Sequence, residues 1–99
     1  MDGNLSPEQA KEMLLKGALS VIDVRTPKEY AEGHIDGARN INIGSPDFEN
    51  EITKLDKSKP YLVYCRSGGR SSKAQAMMRE LGFGSIYNLS GGFSQWGTN

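Results

Sequence analysis

The stretch Tyr61-Leu62-Val63-Tyr64-Cys65-Arg66-Ser67-Gly68-Gly69-Arg70-Ser71-Ser72 decides the fold. Its first five residues are nearly all apolar, which is the pattern of a central parallel strand covered on both faces. Beyond it, Ala74, Met77, Met78 and Leu81 recur at i, i+3, i+4 and i+7, which predicts a helix over residues 71–81 starting near Arg70. Gly82 is its expected C-terminal cap. A buried strand, a tight glycine-containing loop and a helix follow one another without a linker.

The same alternation extends in both directions. Upstream, Ser6-Pro7-Glu8-Gln9 has the form of a capping box with proline in the first turn. Ala10, Met13 and Leu14 give that helix an apolar stripe and Gly17 ends it. Residues 19–24 are predicted as a strand. Thr26-Pro27 opens a short helix running through Tyr30 and closed by Gly33. Residues 35–43, with Gly37 and apolar Ile41 and Ile43, read as a turn and a short strand. Ser45-Pro46 is expected to start a helix carrying Phe48, Ile52 and Leu55, and the charged residues 54–59 a solvated connection. Downstream, residues 86–89 form a last strand, and Gly91-Gly92 leads to a terminal segment with Phe93 and Trp96. Strands alternating with helices predict an α/β domain of three layers with a mostly parallel sheet. Sites in such sheets form beyond the carboxyl ends of strands, where Cys65 falls.

The chain has 99 residues, so residues 1–99 are expected to form one domain. Twelve basic residues balance twelve acidic ones, which gives no electrostatic reason to expect nucleic acid or an anionic membrane as partner. No apolar stretch is long enough to span a bilayer. Met1-Asp2-Gly3-Asn4 lacks the basic and apolar regions of a signal peptide, so cytoplasm is the expected compartment. One cysteine and one histidine exclude an intramolecular disulfide and cannot supply the four ligands of a structural zinc site.

A lone cysteine is either a small core residue or a reactive thiol, and its setting decides. Gly68 and Gly69 let the loop curl with its N–H groups inward, which makes an anion cradle. The following helix aims its N-terminal dipole at the same place. Arg66 and Arg70 add positive charge and forked donors. A thiol there ionises more readily than a free cysteine at about 8.5, and Cys65 is therefore placed as a thiolate nucleophile. A core cysteine followed by a surface turn is the blander account, and it leaves the glycines and arginines unexplained. Four residues separate Cys65 from Arg70, one fewer than in the C-x5-R loop of cysteine-dependent phosphatases. The narrower ring suits a persulfide sulfur better than a phosphoryl group. Asp23 and Asp36 are candidates for a phosphatase general acid by residue type alone.

Three separated stretches resemble the rhodanese family. Asp23-Val24-Arg25 with Glu29-Tyr30 and Gly33-His34-Ile35-Asp36-Gly37-Ala38 resembles its first signature. Cys65-Arg66-Ser67-Gly68-Gly69-Arg70-Ser71 resembles the loop of its active members, and Gly91-Gly92-Phe93 with Trp96 its C-terminal signature. The resemblance implies a single-domain sulfurtransferase working by double displacement. A donor such as thiosulfate would leave a persulfide on Cys65, and cyanide or a thiol would remove it. It further implies that the loop amides of Arg66, Ser67, Gly68, Gly69, Arg70 and Ser71 hold the persulfide and that Arg66 and Arg70 attract the anionic donor, with no metal or organic cofactor. Many family members continue past the tryptophan, whereas this chain stops three residues later. A protein acceptor is a further candidate partner.

The remaining polar and aromatic residues have plainer readings. Transfer from a thiolate needs no general base, so His34 is read as structural. Asp23 and Arg25 are read as buried groups bracing the loops or supporting the site. Trp96 is read as closing a small core, and Met77 and Met78 as core. The competing functions are a protein-bound sulfur carrier or interaction module, and a small phosphatase or arsenate reductase.

Overall fold

A computed structural model describes residues 2–97 of the chain. The ends of the expected 1–99 domain, Met1, Thr98 and Asn99, lie outside the described residues. Five parallel strands form one sheet in the order β1-β5-β4-β2-β3. They are β1 (Asp2–Leu5), β2 (Ser20–Asp23), β3 (Arg39–Asn40), β4 (Pro60–Tyr64) and β5 (Ser85–Leu89). Between and after them lie α1 (Pro7–Leu15), α2 (Pro27–Glu32), α3 (Phe48–Thr53), α4 (Gly69–Glu80) and α5 (Phe93–Trp96).

The central strand β4 alternates with period two, as a strand covered on both faces must. Tyr61, Val63 and Cys65 enter one apolar cluster, with Phe48 and Ile52 of α3 and Ala74 and Met78 of α4. Leu62 and Tyr64 enter the other, with Ala10 of α1, Ile35 and Ala38. Helices therefore cover both sides of the sheet. The sulfur continues the alternation onto the side covered by α3 and α4. Met78 is buried and Met77 packs against the same cluster, as their helical spacing requires.

Local signals fix most boundaries. Ser6 accepts from the Gln9 N–H while Gln9 returns a bond to the Ser6 N–H, and Thr26 and Glu29 repeat the arrangement at α2. Two boundaries move. The helix expected from Ser45-Pro46 begins at Phe48, because Ser45 Oγ accepts from the Asp47 N–H in a turn of its own. α4 begins at Gly69 rather than residue 71, so Arg70 lies in its first turn. β1 is an addition to the predicted elements. Asp2-Gly3-Asn4 has no β-branched or alternating apolar pattern, and the strand forms because the backbone of β5 offers it a partner, from Asp2 opposite Ile86 to Leu5 opposite Leu89.

No helix among the described residues is long and apolar enough to cross a membrane.

Candidate active site

Cys65 is the first residue beyond β4, and only 1 % of its surface is exposed. Residues 66–68 curl back over it, and Gly68 takes φ 117°, a left-handed conformation that favours glycine. Gly68 is also the N-cap of α4 and has no side chain to satisfy the helix's first N–H groups. The Cys65 sulfur takes that place: the Gly68 N–H donates to Sγ at 3.0 Å and the Ser71 hydroxyl lies 3.4 Å from it. Burial opposes ionisation of the thiol and is the largest single influence on it. The hydrogen bonds from the Ser71 side chain and from the backbone of Ser71, Gly68 and Ser67 together outweigh burial and hold the thiol below its ordinary value.

The outward side of the loop is held by the turn that leads into α5. The Phe93 N–H donates to the Cys65 carbonyl at 2.8 Å and the Ser94 N–H to the Arg66 carbonyl at 3.0 Å. Carbonyls drawn outward leave the adjoining amides to point inward. Gly92, at φ 63°, makes this approach possible: a Cβ on it would stand 2.5 Å from the carbonyl carbon and oxygen of Arg66.

The two arginines of the loop have different surroundings. Arg66 is exposed and makes no ion pair among the described residues. Arg70 directs both branches of its fork to Glu29 of α2, at 2.8 and 3.0 Å. The bond from Arg70 holds the Glu29 carboxyl well below its ordinary 4.5, at about 2. The groups in hydrogen-bond contact with the sulfur are an amide and a hydroxyl, and the Arg70 charge is paired with Glu29. Glu29 belongs to the first signature stretch, and nothing in the sequence points from it to Arg70. Its place in a capping box concealed the second task of its carboxylate.

Asp23 and Arg25 brace the neighbouring segments. Both are buried, and Arg25 donates to both Asp23 oxygens and to the Gly33 carbonyl. The Tyr64 hydroxyl donates to Asp23 Oδ2 at 2.7 Å and accepts from the Ile35 N–H at 3.1 Å. Burial pushes the Tyr64 phenol above its usual range, so it stays a neutral donor. This network ties the end of β2 to the α2–β3 turn and to β4, one residue before Cys65.

His34 stacks on the Tyr30 ring, with centroids 3.7 Å apart, and its Nδ1 lies 2.8 Å from the Tyr30 carbonyl, as expected of a turn residue. Asp36 is exposed on the same turn. Trp96 packs on the second apolar cluster, as expected, and also lines an open cleft with Lys11, Leu14 and Ile35. Asn88 of β5 had no signal in the sequence: it is a buried amide that contacts Ser71 and Ser72.

Two clefts flank the loop. One, of about 220 Å³, is charged and bounded by Arg25, Glu29, Glu32, Arg66 and Phe93. The other, of about 350 Å³, is uncharged and bounded by Ser67, Gly68, Ser72, Asn88 and Ser90.

Comparison with known proteins agrees with this geometry. The Rhodanese-like domain family matches residues 6–99. The chain is 41 % identical over 93 residues to the thiosulfate sulfurtransferase GlpE of Ectopseudomonas mendocina, covering 93 % of this chain and 82 % of that protein. It superposes on a rhodanese-related protein of Thermoplasma volcanium with a TM-score of 0.84 and 30 % identity, over 94 % of this chain and 88 % of that one. For the human single-domain sulfurtransferase TSTD1 the TM-score is 0.79 at 26 % identity, over 94 % and 93 % of the two chains. A parallel five-stranded sheet, a cysteine cradled between strand and helix, and a family match over nearly all of its length place this chain in the rhodanese-like domain family.

Proposed function

We propose that the chain is a thiosulfate sulfurtransferase that carries sulfur on Cys65, with residues 1–99 acting as one unit. The observation that carries this reading is the sulfur at the N-terminus of α4, where it replaces a capping side chain. Donors so placed stabilise a negative sulfur, whether thiolate or the outer atom of a persulfide. The relatives named thiosulfate sulfurtransferase support the choice of donor.

In the first half-reaction the Cys65 thiolate attacks the outer sulfur of thiosulfate. A Cys65 S–S bond forms, the S–S bond of thiosulfate breaks, and sulfite leaves with the electron pair. In the second, cyanide or a thiolate attacks the outer sulfur of the persulfide and the Cys65 thiolate departs. Neither step transfers a proton at sulfur, so no general base is required. Arg66, exposed and without an ion pair among the described residues, draws the dianionic donor to the loop; Arg70, with Glu29, fixes the loop against α2. Ser67, Gly68, Gly69 and Ser71 hold the persulfide through N–H and O–H groups.

A phosphatase reading is disfavoured by the occupied fork of Arg70, which leaves no bidentate clamp for phosphoryl oxygens. Mass spectrometry after thiosulfate treatment tests the proposal: the folded protein gains one sulfur atom, and Cys65→Ser keeps the fold and gains none. An unmodified wild-type protein overturns it. Loading that passes to a protein acceptor and never to cyanide identifies a carrier instead.

A further inference from the structure

Asn88 and Ser71 form a polar pair beside the sulfur, and both are buried. Ser71 Oγ lies 2.6 Å from Asn88 Oδ1, 3.2 Å from the Gly68 carbonyl and 3.4 Å from Cys65 Sγ. A serine hydroxyl has one proton, and three acceptors surround it. The orientation of the Asn88 amide follows from its other end. Its Nδ2 faces the Gly68 carbonyl at 3.4 Å and Ser72 Oγ at 2.8 Å. A reversed amide would set two acceptors against each other at Gly68. Oδ1 therefore faces Ser71, and since Oδ1 only accepts, the shortest of the three contacts takes the Ser71 proton.

We propose that Asn88 is a positioning residue for the sulfur chemistry: it competes with Cys65 for the single Ser71 proton and decides whether that hydroxyl donates to the sulfur. With a protonated thiol, S–H donates to Ser71 Oγ and Ser71 donates to Asn88, and every polar atom is paired. When sulfur becomes negative, the Ser71 proton has to turn to it, and Asn88 Oδ1 is left facing an oxygen lone pair in a buried site. Asn88 thus restrains the ionisation that the backbone amides favour, and a thiolate held less tightly is the stronger nucleophile toward a sulfur donor. The last step rests on the sulfurtransferase reading; the proton competition does not.

The test is a titration of the thiolate by its ultraviolet absorbance, with the tyrosine signal subtracted using Cys65→Ser, which leaves the one cysteine of the chain. Asn88→Ala and Asn88→Leu both release the Ser71 proton, and Leu also keeps the space filled and dry. Each is expected to lower the thiolate midpoint by about one pH unit, the size of one hydrogen bond to a charged group. Ser71→Ala is expected to raise it, and in that background the Asn88 substitutions move it no further. The charged side chains of the loop and of the first two turns of α4 are Arg66, Arg70 with its partner Glu29, and Lys73, with the Asp23–Arg25 pair at the end of β2, and none is altered; β5 and α5 contribute none. An unchanged or raised midpoint in either folded Asn88 variant overturns the proposal. So does a fall of equal size when Ser71 is already alanine. Failure of the wild type to accept sulfur would refute the function and leave this titration to decide the competition alone.

Discussion

Replacing Gly92 with alanine tests whether the cradle is shaped from outside. Two costs follow from the structure. The backbone at φ 63° is left-handed, which costs an L-residue about 1–2 kcal/mol. The new Cβ also stands 2.5 Å from the Arg66 carbonyl and has to retreat by 0.9 Å to reach the 3.4 Å of an ordinary contact. That retreat pulls Phe93 and Ser94 off the carbonyls of Cys65 and Arg66, now at 2.8 and 3.0 Å, at about 0.5–1.5 kcal/mol for each lost bond. The expected loss is about 3 kcal/mol in denaturant unfolding, or roughly 12–24 °C in melting temperature for a domain this small. Gly91→Ala is the control. Its φ of 75° carries the same conformational cost, but the atoms nearest its Cβ belong to the Gln95 side chain, Cγ closest, and not to the backbone of the loop. Gly91→Ala is expected to lose about 1–2 kcal/mol and to accept sulfur normally. Gly92→Ala, at a temperature where it is folded, is expected to accept sulfur slowly, because the amides no longer converge. Equal stability losses with equal sulfur loading in the two variants would refute the idea that α5 shapes the loop.

Other expectations follow from the pairs around the loop. Because the folded value of Glu29 lies below its ordinary 4.5, the Glu29–Arg70 contribution to stability is complete above that pH and is lost as pH falls toward about 2. Acid unfolding of Glu29→Gln should lack that component, and a wild-type-like pH profile would count against the pair. Tyr64→Phe removes the donor to buried Asp23 and the acceptor of the Ile35 N–H, and unfolding should show a loss of about 1–3 kcal/mol. Arg66→Ala should leave stability within about 0.5 kcal/mol of wild type, as its side chain is exposed. It should raise the KM for thiosulfate and flatten the salt dependence of the reaction; unchanged salt dependence would remove Arg66 from the donor's path.

The sheet and its helices were legible because their signals are local. The apolar run of β4, the capping boxes at Ser6 and Thr26, and the helical spacing from Ala74 to Leu81 each lie within about a dozen residues. β1 was illegible because its partner is at the far end of the sequence and its own residues express no preference. The site divides in the same way. The cysteine, the glycines and the helix start are contiguous, so the cradle could be read directly. Glu29 against Arg70, Asn88 against Ser71 and Gly92 against Arg66 are contacts between separate segments. A charged residue in a cap, an asparagine in a strand and a glycine in a pair give no sign of which distant group they meet. The two arginines differ for the same reason: their charge is visible in sequence, and the Glu29 carboxylate that pairs with Arg70 is not.

The buttress of the Cys65–Arg66 carbonyls by Phe93 and Ser94 links reactivity to folding. The atoms that make the sulfur reactive are adjacent in sequence, but their arrangement is completed by a turn after the last strand. A chain in which that turn has not docked possesses the cysteine and its amides without the convergence that lets them act together. Sulfur uptake by this protein is consequently a chemical reporter of its finished tertiary structure. A population of molecules sorted by whether they accept sulfur is sorted by whether β5 and α5 have closed on the rest of the chain.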